Sequence, residues 1–349
     1  MDRMLKEYFL DEDELQTFVQ RLIGKYEVLG MKLEDGELKY SRINSVDELR
    51  LPSSHRPLVP PKKWFYPERE TLFTYRISRG RVKIEDSLKK LLTMKRIFFG
   101  MRPCDVRSLH ILDKILLGRF HDPYYGIRRE NTLIIELTCN EPAEYCFCTM
   151  VGGGPYVEDG CDVIFTRISE GFLVETRTVN GAKLIENNKD IFRKAREEEI
   201  IERNEIIARA YSKIEARCVD LERLYNTLVR IYDSDMWNDY SEKCFSCGKC
   251  NFICPTCHCF DIYDEVDANL SSGARVRIWD SCHFLSFTRV AGGIVFRRER
   301  TSRVKQRIYH KLCYSIDEIG EISCVGCGRC IEVCPSKIDV REIIAKLEG

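Results

Sequence analysis

The sequence predicts an α+β chain: an N-terminal α/β domain with a β-sheet, followed by a mainly α-helical domain. Three observations predict it. Short apolar runs, RIFFGM at 96–101 and LIIEL at 133–137, read as buried strands with a stretch of helical period between them. From residue 188 to about 232 the chain becomes densely charged with a helical pattern. Beyond that lie two cysteine runs of matching spacing, at 244–254 and 324–334. The expected units are therefore an N-terminal α/β domain at 1–187, a helical connector at 188–240 and a helical domain at 241–349.

The elements follow in chain order. Residues 14–23 place Leu15, Phe18, Val19, Leu22 and Ile23 on one helical face, and 36–43 alternates like a strand. Pro57, Pro60 and Pro61 make an extended connector before Trp64 and Phe65. The charged stretch 82–94 reads as partly helical. Strand 96–101 passes through a turn at 102–104 into a helix at 105–117, whose inner side carries Val106, Leu109, Leu112, Ile115 and Leu116. Strand 133–137 runs into Thr138 and Cys139. Residues 162–168 and 172–178 form a hairpin around Ser169, Glu170 and Gly171, and Gly152–Gly154 is a turn, since it follows no clear strand and opens no helix.

The cysteine runs carry the chemistry. They read C-F-S-C-G-K-C-N-F-I-C-P and C-V-G-C-G-R-C-I-E-V-C-P, four thiols within a dozen residues ending on Cys-Pro. This is the ferredoxin spacing for four-iron, four-sulfur (4Fe-4S) clusters: a tight loop wraps three thiolates around one cluster while the fourth points away, toward the other. The expected sets are Cys244, Cys247, Cys250 and Cys334 for one cluster, and Cys324, Cys327, Cys330 and Cys254 for the second. Structural zinc sites instead use separated C-x-x-C pairs. The wide separation of the runs suits a helical, ferredoxin-like domain.

A third constellation is Cys104, Cys139, Cys146 and Cys148. Two strands end at the first pair on the edge of a sheet where ligands bind, and E-Y-C-F-C can fold the second pair over them. These four are a candidate third metal site, iron–sulfur ahead of zinc, against a reading as buried thiols. Cys257, Cys259 and Cys282, with His258 and His283 beside them, either pack against a cluster or form a reactive thiol set. Cys161, Cys218 and Cys313 stand alone.

Composition bounds the function. Lys plus Arg and Asp plus Glu both count 55 in 349 residues, so no global field gathers nucleic acid. The basic stretch 297–311 reads as a helix flanking the cluster domain or a docking face. Eighteen cysteines, most of them clustered in metal-ligand spacing, behind an opening without signal-peptide character, indicate a reducing, cytoplasmic setting. No apolar run approaches the length of a spanning helix, so direct membrane insertion is not expected.

The motifs M-R-P-C-D-V-R-S-L-H-I-L-D, C-N-E-P-A-E-Y-C-F-C, C-P-T-C-H-C-F-D-I, W-D-S-C, H-K-L-C-Y and P-P-K-K-W-F span nearly the whole chain. Together they resemble the dicluster iron–sulfur family that contains the beta subunits of archaeal sulfhydrogenases (soluble NiFe hydrogenases) and the electron-transfer subunits of anaerobic sulfite reductases. The resemblance implies a cytoplasmic electron-transfer protein working between a flavin subunit that handles NAD(P)H and a catalytic subunit, either a NiFe hydrogenase or a reductase. It also implies cysteines at the positions of Cys104, Cys139, Cys146 and Cys148. No nickel-iron site, sirohaem site or complete dinucleotide fingerprint is present, so relaying electrons is expected rather than the overall reaction. The competing expectation is a sulfur- or polysulfide-reducing subunit in its own right, using Cys257, Cys259 and Cys282 for thiol exchange.

Overall fold

The computed structural model describes residues 6–54, 56–214 and 218–348. Its strands are β1 (Glu7–Asp11), β2 (Glu27–Glu34), β3 (Glu37–Arg42), β4 (Arg69–Ser78), β5 (Arg81–Asp86) and β6 (Arg96–Met101). They continue with β7 (Thr132–Leu137), β8 (Val163–Ile168), β9 (Gly171–Thr176), β10 (Arg193–Lys194), β11 (Phe260–Val266) and β12 (Ser272–Trp279). With the helices between them these make an α+β chain.

Eight strands form one sheet in the order β10-β1-β9-β8-β7-β6-β2-β3, parallel from β8 to β2 and antiparallel toward both edges. Every residue of β6 is buried, as a strand covered on both faces requires. The two-residue period divides its aromatics: Phe99 meets Phe18 of the helix Glu14–Ile23, while Phe98 meets Tyr40 and Phe65 on the other side. The helix Glu14–Ile23 lies where its periodicity placed it, and so does the hairpin β8–β9, with Ile168 opposite Gly171. The helix after β6 is Pro103–Leu116 rather than 105–117. Pro103 takes its first position, where the missing N–H costs nothing, so Cys104 belongs to the first helical turn.

The stretch 82–94 is partly helical, as expected. Arg81–Asp86 is a strand and only Leu88–Leu91 is helical there, because Val82 and Ile84 alternate with charges at a period of two. Arg79 and Gly80 both adopt positive φ, 49° and 73°, closing a tight hairpin with β4. This hairpin continues into a four-stranded antiparallel sheet, β11-β12-β4-β5, so strands contributed from between the two cysteine runs pair with residues 69–78. Arg277 of β12 pairs with buried Glu70 of the neighbouring β4 (2.6 Å) and reaches Asp122, which caps the helix Pro123–Glu130 leading into β7.

A second core gathers around Trp237. It takes residues from the helices Leu221–Arg230, Met236–Lys243, Arg300–Tyr309 and Val340–Glu348, together with Phe147 and Val151. The charged stretch beginning at residue 188 is largely helical, with Glu197–Ser212 and Leu221–Arg230, although residues 215–217 within it lie outside those described.

Candidate metal centres

The two cysteine runs fold alike. In the first, Cys244 ends the helix Met236–Lys243, Ser246 and Gly248 adopt left-handed backbone, and a single helical turn, Lys249–Phe252, leads to Cys254. In the second, Gly326 and Gly328 repeat those dihedrals before the turn Arg329–Glu332 and Cys334. Glycine is needed at 326 and 328 for a second reason, which is crowding. A Cβ on Gly326 would come within 2.5 Å of the Cys148 Cα, and one on Gly328 would run into the Tyr145 carbonyl.

All eight of these cysteines line one cavity of about 100 Å³. Burial first, then neighbouring thiols, pushes Cys324 up to about 11, and Cys250 and Cys330 up to about 12. Cys254 is among the charges acting on Cys250, Cys324, Cys327 and Cys330. Its own value is driven well below the ordinary range, foremost by a hydrogen bond from the Cys257 thiol and then by Lys311 and Arg307.

Those two cations come from the basic stretch that reads in the sequence as a flanking helix or a docking face. The helix Arg300–Tyr309 and the wide turn after it, His310–Tyr314, deliver Arg307 and buried Lys311 to the cavity wall. Although burial opposes it, the surrounding thiols hold both in the charged form. Arg307 donates to Asn251 Oδ1 (3.2 Å) and Cys257 Sγ (3.3 Å), and Lys311 donates to Thr256 Oγ1 (2.8 Å). His283 lines the same cavity. Burial, followed by the nearby Arg307 and Arg303, lowers its pKa to about 4, so the ring is neutral near pH 7.

Cys104, Cys139, Cys146 and Cys148 line a second, smaller cavity of about 30 Å³. β6 and β7 are adjacent and parallel, which delivers Cys104 and Cys139 to one sheet edge, and the loop beyond brings in the other two. Burial pushes Cys139 up to about 11 and Cys148 up to about 12, and it raises Cys104 as well. Arg56 and Arg102 supply positive charge to the wall. Cys327 lines both cavities, Phe147 N donates to Gly326 O (2.8 Å), and the Cys146 thiol faces Cys327 O at 3.9 Å, so the two sites adjoin.

Among the described residues, no three His, Cys, Asp or Glu side chains converge tightly enough to hold a single metal ion. Zinc would draw its sulfurs to about 2.3 Å from one centre. Thiols spread around a void, with cations behind them, suit a bulkier anionic group instead. The unpartnered ring nitrogens of His283, buried on the wall of the larger cavity, also suit a polar group held there.

The remaining cysteines do not join either cavity wall. Cys282 accepts from Asn251 Nδ2 (2.9 Å) and lies against Cys259, while Cys257 is buried beside Cys254. Cys161 and Cys313 are buried in the two cores, and Cys218 is exposed. None of the helices among the described residues is long and apolar enough to cross a membrane.

The 4Fe-4S dicluster domain family matches residues 243–338. Over 333 residues, 95% of each chain, the sequence is 34% identical to the protein named sulfhydrogenase 2 subunit beta of Pyrococcus furiosus.

Proposed function

Because the chain belongs to the iron–sulfur family of sulfhydrogenase beta subunits and carries a 4Fe-4S dicluster domain, we propose that it is the electron-relay subunit of a cytoplasmic multisubunit oxidoreductase. It passes electrons between a flavin subunit handling NAD(P)H and a catalytic subunit of the NiFe hydrogenase type. The observation that carries this reading is the single cavity walled by all eight cysteines of the two runs. When bound, 4Fe-4S clusters supply one-electron transfer at potentials set by charge, hydrogen bonds and burial.

The residues have distinct parts. Cys244, Cys247, Cys250 and Cys334 hold one cluster, and Cys324, Cys327, Cys330 and Cys254 hold the other. Arg307 and Lys311 offset thiolate charge that burial would otherwise expel. Cys104, Cys139, Cys146 and Cys148 hold a third cluster, with Arg56 and Arg102 in the same supporting role. The wall shared at Cys327 makes this third site continuous with the second set. The exposed Cys247 and the 71% exposed Phe245 put the first set nearest to a docking partner. Cys257 and Cys282 are buried and Cys259 is half-buried, which leaves little accessible sulfur for the thiol exchange that the polysulfide-reducing alternative needs.

Iron analysis tests the reading. Anaerobically reconstituted protein is expected to bind about twelve iron atoms for three four-iron clusters, and about eight if only the two runs are filled. Cys146→Ala should lower the total by about four. A value near eight that Cys146→Ala leaves unchanged would return those four cysteines to structural thiols. Isolated, loaded protein should accept electrons from a chemical donor but show no turnover with sulfur or hydrogen, and turnover abolished by Cys282→Ala would overturn the pure relay.

A further inference from the structure

Eight cysteines are enough for the two clusters of the larger cavity, which leaves His283 with no ligand role. Yet this side chain lines that cavity, is 4% exposed, and has no hydrogen-bond partner at either Nδ1 or Nε2. A buried imidazole without a partner calls for an explanation, since a buried polar group normally finds one.

The turn that carries it is firmly held. Asp280 N donates to Cys259 O (2.9 Å), His283 N to Ser281 Oγ (3.2 Å) and Phe284 N to Ser281 O (2.9 Å). Phe284 packs on Phe252 with ring centroids 6.0 Å apart and lies so close to Gly248 that a Cβ there would meet its ring at 2.9 Å. The turn therefore covers the first cysteine run.

A comparison of the two runs shows what this adds. Their backbones match, so the loops themselves offer both clusters the same amide groups. The covers differ: the second run lies under Tyr145 and Cys148 of the adjoining site, the first under the turn with His283.

We propose that the His283 ring donates an N–H hydrogen bond to sulfur of the cluster held by Cys244, Cys247 and Cys250, and thereby raises that cluster's reduction potential. A donor to sulfur is worth more when the cluster gains an electron, so it favours the reduced state and sets the first cluster apart from its near-symmetric neighbour. This proposal rests on the ligand assignment given above. His283 is a tuning residue and is not required for cluster binding.

The test uses the complete chain, reconstituted anaerobically with iron and sulfide, and redox titration followed by electron paramagnetic resonance. His283→Phe removes the donor while keeping a ring, and His283→Gln retains an N–H donor. Iron content should be the same in all three proteins. In His283→Phe, one cluster should shift by about tenfold or more toward the oxidised form at a fixed potential, about 59 mV for a one-electron couple. In His283→Gln it should recover most of that shift, with the remaining clusters unmoved in both. Equal potentials in all three proteins would overturn the proposal, as would loss of iron in both variants. The ligand assignment fails separately, if Cys250→Ser leaves both the iron content and every signal unchanged.

Discussion

Glu136, in β7, is fully buried with one oxygen accepting from Val157 N (3.4 Å) and the other unpartnered, and Glu175 adds negative charge nearby. Burial above all raises this carboxyl well above its ordinary 4.5. A raised folded-state pKa means the folded chain binds the proton more tightly than the unfolded one. The stability it contributes is thus complete below the unfolded value and lost as pH rises through the folded one. Glu136→Gln should stabilise the protein at pH 7, by about 1.4 kcal/mol per unit of elevation removed, with the gain vanishing below about pH 4.5. Urea unfolding across that range checks it, and a gain that persists at pH 4 would contradict the account. The sequence could not announce this residue: LIIEL reads as an apolar strand interrupted by one charge, and what surrounds that charge comes from distant strands. His283, Arg307 and Lys311 were hidden in the same way. Each looked like an ordinary neighbour of a motif, and only the turn or helix that aims it at the cavity gives it a role.

At the level of elements, legibility followed local pattern. The helix Glu14–Ile23 and strand β6 were readable to the residue because their apolar periods are complete within themselves. The small sheet was not, since β11 is exposed along its whole length and β5 likewise, leaving no buried face for a pattern to record. The cysteine runs were legible as ligands because metal chemistry imposes spacing on sequence directly. Their two one-turn helices, Lys249–Phe252 and Arg329–Glu332, end at Cys254 and Cys334, which puts each fourth thiol beyond its own loop. If Cys254 completes the set of Cys324, Cys327 and Cys330, as proposed, Cys254→Ser should damage the cluster of the second run and spare the first. Paramagnetic resonance of the reduced variant, with loss confined to the Cys244–Cys250 signal, would refute crossed ligation. The variant should also lose thermal stability, because binding energy at a site absent from the unfolded chain is folding energy.

Across the whole molecule, one ion pair joins the large sheet to the cluster loop. Arg329, between Cys327 and Cys330, is fully buried and bidentate to Asp105 of the helix that follows β6 (2.5 and 2.8 Å), with further bonds to the Pro57 carbonyl at 3.1 and 3.0 Å. Asp105→Ala would leave that guanidinium buried without its counter-charge, at a cost of about 3–5 kcal/mol. Denaturant unfolding of the loaded protein is the measurement, and a loss under about 1 kcal/mol would mean that water replaces the carboxylate. Long reach also governs the small sheet, in which β4 pairs with β12 so that Arg69 lies opposite Ile278. During synthesis the hairpin of β4 and β5 emerges with a bare edge and waits for some 200 further residues, roughly 10–40 s at 5–20 residues per second. A nascent chain with an open edge for that long is exposed to wrong pairing. Under the proposed crossed ligation, neither cluster of the two cysteine runs has its full ligand set until the second run has emerged as well.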